Sequence, residues 1–499
     1  MNCSELYLPL ALGVPFVASL LLLVLGRRLP AALQTLTAGA GFLVPAALAV
    51  AAWAQFSCAM DPETGYAYLV NLPLGLQAMT GEAENKPVYL GLLLFMVSGL
   101  LGVFASVDIF FFYFFHEFAL IPTFILMLYW GGLGRKVAAI QMAVYLTLGA
   151  MVSLAGIVLL VLWSGAGSFN LLKLKAELLA MPMEAGAQTV VFGLLLLGFG
   201  VLVSLFPFHS WAPDAYTEAP TPVSMLHAGV LKKFGLYGLI QLGALLLPAG
   251  LAHWAPVLFW LALGNILLIG FVTMSQRHLK SMLSYSSVMH MGPCFLGIFA
   301  FALSGGDTAG LGAAVMMMFA HGLSVALLFA LSHAIYRRTG TLEFAENGGL
   351  AKYAPVLGGF FVAATMASIG LPGFANFWGE LGIFVSLGQL PVWKLVLVVS
   401  SIVISAIYGL RAVAAVFFGP ASENTAARGE TIRDISPAER LVAVVLLAAL
   451  VAVGFYPRLV SGSLDAALPK EFPPTAVGLR LCPHCGDAHA TTGAHPEHP

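Results

Sequence analysis

Glu117, Lys232, Lys233, His290, His321 and Glu380 stand inside long apolar runs of this sequence, where ionisable side chains are costly. On insertion scales a charge at the bilayer centre costs about 2.5 to 3.5 kcal/mol, so such residues mark ion or proton paths by default. Glu117 falls in Phe110-Phe-Phe-Tyr-Phe-Phe-His-Glu-Phe, with Pro122 five residues on. Apolar surroundings disfavour an ionised carboxylate, so Glu117 must be paired or carry its proton. The bland alternative is a helix-end residue that reaches the interface; for the lysines it is snorkelling of the stem to the head groups. Lys232 and Lys233 differ by about 100° around a helix, so the two cannot face one channel equally. His290, in Tyr285-Ser-Ser-Val-Met-His, and His321, in Met316-Met-Met-Phe-Ala-His, lie well inside their runs. Histidine titrates nearest physiological pH and suits a proton relay, although a single buried one more often only packs. Two of them between a lysine and a glutamate in chain order favour the relay, whereas His333, close to Arg337, reads as loop-proximal.

These groups need elements that expose them without flooding the bilayer. Phe206 to Pro222 carries Pro207, Pro213, Pro220 and Pro222 in the middle of a hydrophobic tract, with His209 beside the first of them. Prolines at that depth are tolerated only where protein or water satisfies the freed backbone groups. Gly370, Pro372, Gly373 and Gly379 interrupt a second long apolar tract just before Glu380. Broken helices of this kind present half-helix ends whose dipoles and free carbonyls favour ions and water.

Composition sets the class: 60% of the 499 residues are hydrophobic and 9% charged, with a mean hydropathy of +0.93. This reads as an all-α polytopic membrane protein. A net charge of −1 supplies no basic surface for nucleic acid. Strand-type alternation, which an outer-membrane barrel would require, is absent. So are a Gly-rich phosphate loop after a strand and a nucleophile elbow, so redox chemistry is expected in other chains. Leu6 to Leu25 lacks a basic n-region before it and reads as a retained first span.

Apolar runs of about 20 residues fall near 6–26, 31–54, 88–107, 109–130, 137–163, 188–208, 222–247, 254–274, 281–304, 310–336, 353–390, 393–418 and 438–456. That predicts about 13 to 14 spans. Arg135/Lys136, Arg277/Lys280, Arg337/Arg338 and the Arg428/Arg433/Arg440 group then share one face, the cytoplasmic one. Counted by parity, Arg27 and Arg28 fall on the opposite face unless Ala67 to Met79 crosses as well. Those thirteen residues reach only about 20 Å as a helix, too short for the ~30 Å core, which favours a missing helix.

The blocks Phe206 to Pro222, Ala228-Gly-Val-Leu-Lys-Lys-Phe-Gly-Leu-Tyr-Gly-Leu, Leu279-Lys-Ser-Met-Leu-Ser-Tyr-Ser-Ser-Val-Met-His-Met-Gly and Leu371-Pro-Gly-Phe-Ala-Asn-Phe-Trp-Gly-Glu occur in this order. Together they resemble the antiporter-like subunits of respiratory complex I, and among these subunit M, over about 88–419. Glu380 favours M, because the related L and N subunits carry a lysine in that broken helix. The resemblance implies two inverted five-helix repeats, each with a broken helix. The corresponding organisation is 1–87 for the amino-terminal helices and polar loop, 88–208 and 209–390 for the repeats, 391–460 for further helices and 461–499 for a tail. It implies proton translocation coupled to quinone reduction in other subunits. No cofactor is then expected in this chain, with NADH, FMN, iron–sulfur clusters and quinone in its membrane and hydrophilic partners. The setting it implies is the cell inner membrane.

Position by position, the resemblance makes Glu117 the glutamate of the fifth helix, Lys233 the central lysine of the eighth and Glu380 the exit-side glutamate of the twelfth. His290 and His321 match histidines of the connecting polar axis. One match fails, because Leu202 stands where the family has the lysine that partners the glutamate at 117. His116 and Lys232 are the candidate replacements, and the absent third helix between Cys58 and Val88 is a second departure. Proton transfer through Lys233 and Glu380 is expected to survive, with coupling to neighbours altered. A cation/proton antiporter or membrane-hydrogenase subunit of the same fold, and a scaffold that has lost conduction, are the competing readings. In the tail, Cys482-Pro-His-Cys485 has the spacing of a zinc half-site, but without a second pair it is expected to be adventitious.

Overall fold

The computed structural model describes residues 7–55 and 84–468. The tail cysteines, Cys58 and the candidate crossing Ala67 to Met79 lie outside these residues. Among the described residues, eleven helices are long and apolar enough to cross a membrane. Two further apolar stretches, 221–244 and 355–386, are helical in pieces, so the helices coincide with the runs read from the sequence.

The first helices are α1 (Tyr7–Leu25), α2 (Ala31–Gln55), α3 (Lys86–Ala105), α4 (Ile109–Trp130) and α5 (Arg135–Trp163). Helix α1 runs antiparallel to α3, with Ser19 Oγ donating to the Gly91 carbonyl and Ser98 Oγ to that of Leu12. Gly41 of α2 packs against Leu94 of α3 and Ala18 of α1, so α2 and α3 run parallel. Gly26 meets Pro87, and the Trp130 indole donates to the Glu84 carbonyl. Arg27 and Arg28 therefore lie at the end of the bundle that carries Arg135. This corrects the parity argument, which assumed that α2 and α3 run in opposite directions.

After a short surface helix, α6 (Leu171–Ala180), come α7 (Ala185–Val203) and α8 (Trp211–Glu218), separated by the first break. The next stretch alternates α9 (Thr221–Leu226), a π-turn (His227–Leu231), α10 (Lys233–Gly238) and a second π-turn (Leu239–Ala244). Pro222 sits in the first turn of α9, where a proline costs no helical hydrogen bond. Helix α11 (Pro248–Gly264) continues through a π-turn at Asn265–Ile269 into α12 (Gly270–Ser275). Then follow α13 (Leu279–Met289), α14 (Met291–Leu303) and α15 (Ala309–Thr339), the last buried along its central stretch from Ala314 to Ser332. The second break divides α16 (Pro355–Ser368) from α17 (Ala375–Ser386), and α18 (Val392–Phe417) and α19 (Pro437–Phe455) close the bundle.

The two breaks end their first segments with one hydrogen-bond pattern. Leu205 N–H donates to the Gly200 carbonyl and Ser204 N–H to that of Val201; Leu371 N–H donates to Met366 and Gly370 N–H to Ala367. Ser204 and Gly370 take φ of +67° and +83°, the left-handed residue of a Schellman ending. A second correspondence joins residues far apart in sequence. Asp108 bridges Asn170, and His278 bridges Glu343, with paired bonds Ile109→Phe169 and Leu171→Val107 in one case and Leu279→Leu342 and Phe344→Arg277 in the other. The antiparallel contacts of α3 and α4, Gly99 on Ala119 and Gly102 on Phe115, put Asp108 at the end of the bundle opposite Trp130. His278 lines the same cleft as Trp130, so the two bridges lie at opposite ends.

Candidate proton pathway

The π-turn at His227–Leu231 decides where the lysines go. Lys232 N–H reaches back five residues to the His227 carbonyl at 3.2 Å, a register shift of the kind often found at functional sites. Both side chains then enter the protein, at 2% and 1% exposure. Snorkelling to the head groups is excluded for both. They diverge, as their angular offset requires, towards different helices. Lys232 Nζ donates to the Ser287 carbonyl and hydroxyl, each at 2.7 Å, with the Tyr216 ring 5.3 Å away. Lys233 Nζ donates to the Ala228 carbonyl at 2.6 Å and lies 3.0 Å from His321 Nδ1.

From Lys233 the buried groups continue to Glu380. The His321 and His290 rings are 5.5 Å apart between centroids, and His290 Nδ1 is 3.9 Å from Glu380 Oε1. Tyr408 fixes the other face of the His290 ring, with its hydroxyl 3.0 Å from Nε2 and 2.7 Å from Ser286 Oγ. His290 Nδ1 and His321 Nε2 have no hydrogen-bond partner among the described residues. The Glu380 carboxylate rests on the backbone of the second break: a Cβ built on Gly370 would stand 2.3 Å from Oε2. Gly370 is thus needed for space as well as for its positive φ. Pro372 and Gly373 complete this turn, and Asn376 donates to Ser324 Oγ at 3.3 Å.

Glu117 occupies a different environment. Its side chain is 35% exposed on the outer face of α4, with His116 Nδ1 3.4 Å from Oε1. His116 is buried and stacks on Phe234 at 3.9 Å between centroids. His227 lies between the Trp211 and Tyr216 rings. Leu202 is buried in the apolar core at the end of α7, so that position supplies no cation to the first break.

Sequence reasoning missed Asn265, which holds that break together. Its Oδ1 accepts from Phe206 N–H at 2.7 Å, and its Nδ2 donates to the carbonyls of Ser204 and Val288 at 3.1 and 2.9 Å. Pro207 follows a cis peptide bond, and His209 stacks on Phe206 rather than joining the lysines. His227, Ser287 and Tyr408 were missed as well. For His227 and Tyr408 the signal was a polar residue inside an apolar run, which periodicity does not separate from a packing residue; for Ser287 it was the serine-rich stretch from Ser281 to Ser287.

An all-helical membrane bundle with two breaks and a buried ionisable axis is the class that fold and site define. The family model described as NADH:quinone oxidoreductase/Mrp antiporter, TM matches residues 106–405, and the chain belongs to that family. It is 36% identical over 434 residues to NAD(P)H-quinone oxidoreductase chain 4 1 of Picosynechococcus sp., covering 84% of this chain and 79% of the relative. It is 34% identical over 414 residues to chain 4 2 of Microcystis aeruginosa, covering 77% and 73%. A chain of respiratory complex I from Thermus thermophilus with bound NADH superposes with a TM-score of 0.78 at 28% identity, over 92% of this chain and 99% of that one. A chain of the Mrp complex from Dietzia sp. shares the fold, with a TM-score of 0.77 at 20% identity over 96% and 100%.

Proposed function

We propose that this chain is a proton-translocating membrane subunit of an NADH-quinone oxidoreductase of the complex I type, with Lys233, His321, His290 and Glu380 as its path. The buried contact of Lys233 Nζ with His321 Nδ1 at 3.0 Å carries this reading, because it joins a cation to a string of groups that ends at a carboxylate. A proton released by the Lys233 ammonium passes to His321, then His290, and then the Glu380 carboxylate, with water bridging the steps longer than a hydrogen bond. Oxidation of the nicotinamide and reduction of quinone belong to other subunits, which hold FMN and the iron–sulfur clusters. The two inverted units span 88–208 and 209–390. The paired Schellman endings and the matching bridges at opposite ends of the bundle support that division. The end rich in arginine faces the cytoplasm in a cell inner membrane.

The test is NADH-driven proton uptake by inverted membrane vesicles carrying Lys233→Met at matched levels of assembled complex. Uptake is expected to fall by about a hundredfold or more, with quinone reduction falling alongside. Unchanged uptake per electron would send the protons through other subunits. Dependence of uptake on sodium would favour an antiporter of the Mrp kind.

A further inference from the structure

The path above begins at Lys233, yet a second buried lysine and a row of hydroxyls lie beside it unused. Ser281, Ser284 and Ser287 recur every third residue on α13 and so share one helix face. Thr217, at the end of α8, faces the same row, with Oγ1 3.1 Å from Ser284 Oγ and 3.5 Å from Ser281 Oγ. Ser287 Oγ is in turn 2.7 Å from Lys232 Nζ. Ser284 and Ser287 are fully buried. Thr217 and Ser281 open into a cleft of about 970 Å³ that is also lined by Glu218, His278, Lys280 and His333. That cleft lies at the arginine-bearing end of the bundle, where Lys280 Nζ donates to the Ala219 carbonyl at 2.6 Å.

We propose that this row is a proton inlet and that Lys232 is the group it loads, taking over as the buried cation that Leu202 leaves out of the first break. The inlet rests on the reading that Lys233 to Glu380 conducts. Each hydroxyl is both donor and acceptor, so it takes a proton on its cleft side and releases its own towards Lys232. Neutral Lys232 accepts from Ser287 Oγ and becomes an ammonium, and Ser287 is re-protonated from Ser284. The two serines are about 5–6 Å apart between Cβ atoms, a gap that one water bridges. Ser284 donates to the Lys280 carbonyl at 2.8 Å in the resting geometry and turns about χ1 to pass its proton inward. Only O–H and N–H bonds are exchanged, and no oxidant is involved. The ammonium of Lys232 repels that of Lys233, its neighbour in sequence, so loading the first favours release from the second towards His321; the Lys232 proton then crosses through bridging water to the vacated Lys233 amine, which returns Lys232 to its neutral form.

The experiment compares Lys232→Met, Lys232→Arg and Ser284→Ala in the assembled complex, with proton uptake and quinone reduction measured in inverted vesicles and Lys233→Met alongside. Arginine keeps the charge but holds its proton at every accessible pH. All three variants are expected to slow uptake by about tenfold or more, with Ser284→Thr restoring it. Wild-type uptake in Lys232→Arg would show that only the charge matters and would overturn the inlet. Wild-type uptake in Ser284→Ala would overturn it too. If Lys233→Met pumps normally, the proposed function fails first. If Lys233→Met is dead while the Lys232 variants pump normally, only the inlet fails.

Discussion

The two breaks share a backbone ending but differ in what they expose. At the second, Glu380 is 4% exposed, lies 3.9 Å from His290 and packs onto Gly370. At the first, the position seven residues before His209 is Leu202, buried among apolar neighbours, and Glu117 is 35% exposed on the outer face of α4. The backbone endings agree, and the groups held against them do not. The buried cations sit instead on the pieces between the breaks, where a π-turn turns both Lys232 and Lys233 inward. A broken helix is therefore no proton site by itself. At the second break a buried carboxylate is held against the turn.

The comparison is sharpest for matched carboxylates. Glu380→Gln should lower proton uptake by about a hundredfold, because it ends the buried string. Equal uptake by wild type and this variant would remove the asymmetry between the halves. Gly370→Ala adds a methyl group where 2.3 Å separates the built Cβ from Glu380 Oε2, at a φ of +83°. A cost of about 1–3 kcal/mol is expected for such strain, read as a lower unfolding temperature of the purified complex together with reduced uptake. Asn265→Leu leaves the Phe206 N–H and the Ser204 and Val288 carbonyls without their partner. Losing a buried hydrogen bond in this way costs about 1–3 kcal/mol, so the same melting assay should show a loss, with uptake per assembled complex largely kept. Glu117→Gln should have the smallest effect. Its pairing with His116 is partly exposed and worth at most about 1 kcal/mol, which bounds the change in uptake at about fivefold. A loss as deep as that of Glu380→Gln would make the two halves equals again.

The sequence revealed the class, the apolar runs that the described helices fill and the ionisable residues that the structure brings together from Lys233 to Glu380. Hydropathy locates spans because the bilayer leaves the backbone no other partner than itself, and ionisable residues stand out against that background. Arg27 and Arg28 were misplaced for a related reason: parity counts helices but does not see that α2 and α3 run parallel. The direction of Lys232 was half legible. Its offset from Lys233 around the helix followed from helix geometry, but the π-turn that brings both inside depends on packing against α13 and α15.

Asn265, Ser287 and Tyr408 show where sequence stopped. Each is an ordinary polar residue, and its meaning comes from partners 59, 55 and 118 positions away. The sequence by itself determined that this chain spans a membrane, where its helices break and which charged groups the membrane must shelter, because those follow from local composition and the cost of burying charge. Only the tertiary structure decided which of them meet. It leaves Glu117 at the rim, joins Lys233 to His321 and brings His290 to Glu380, because contact distances depend on how distant helices pack.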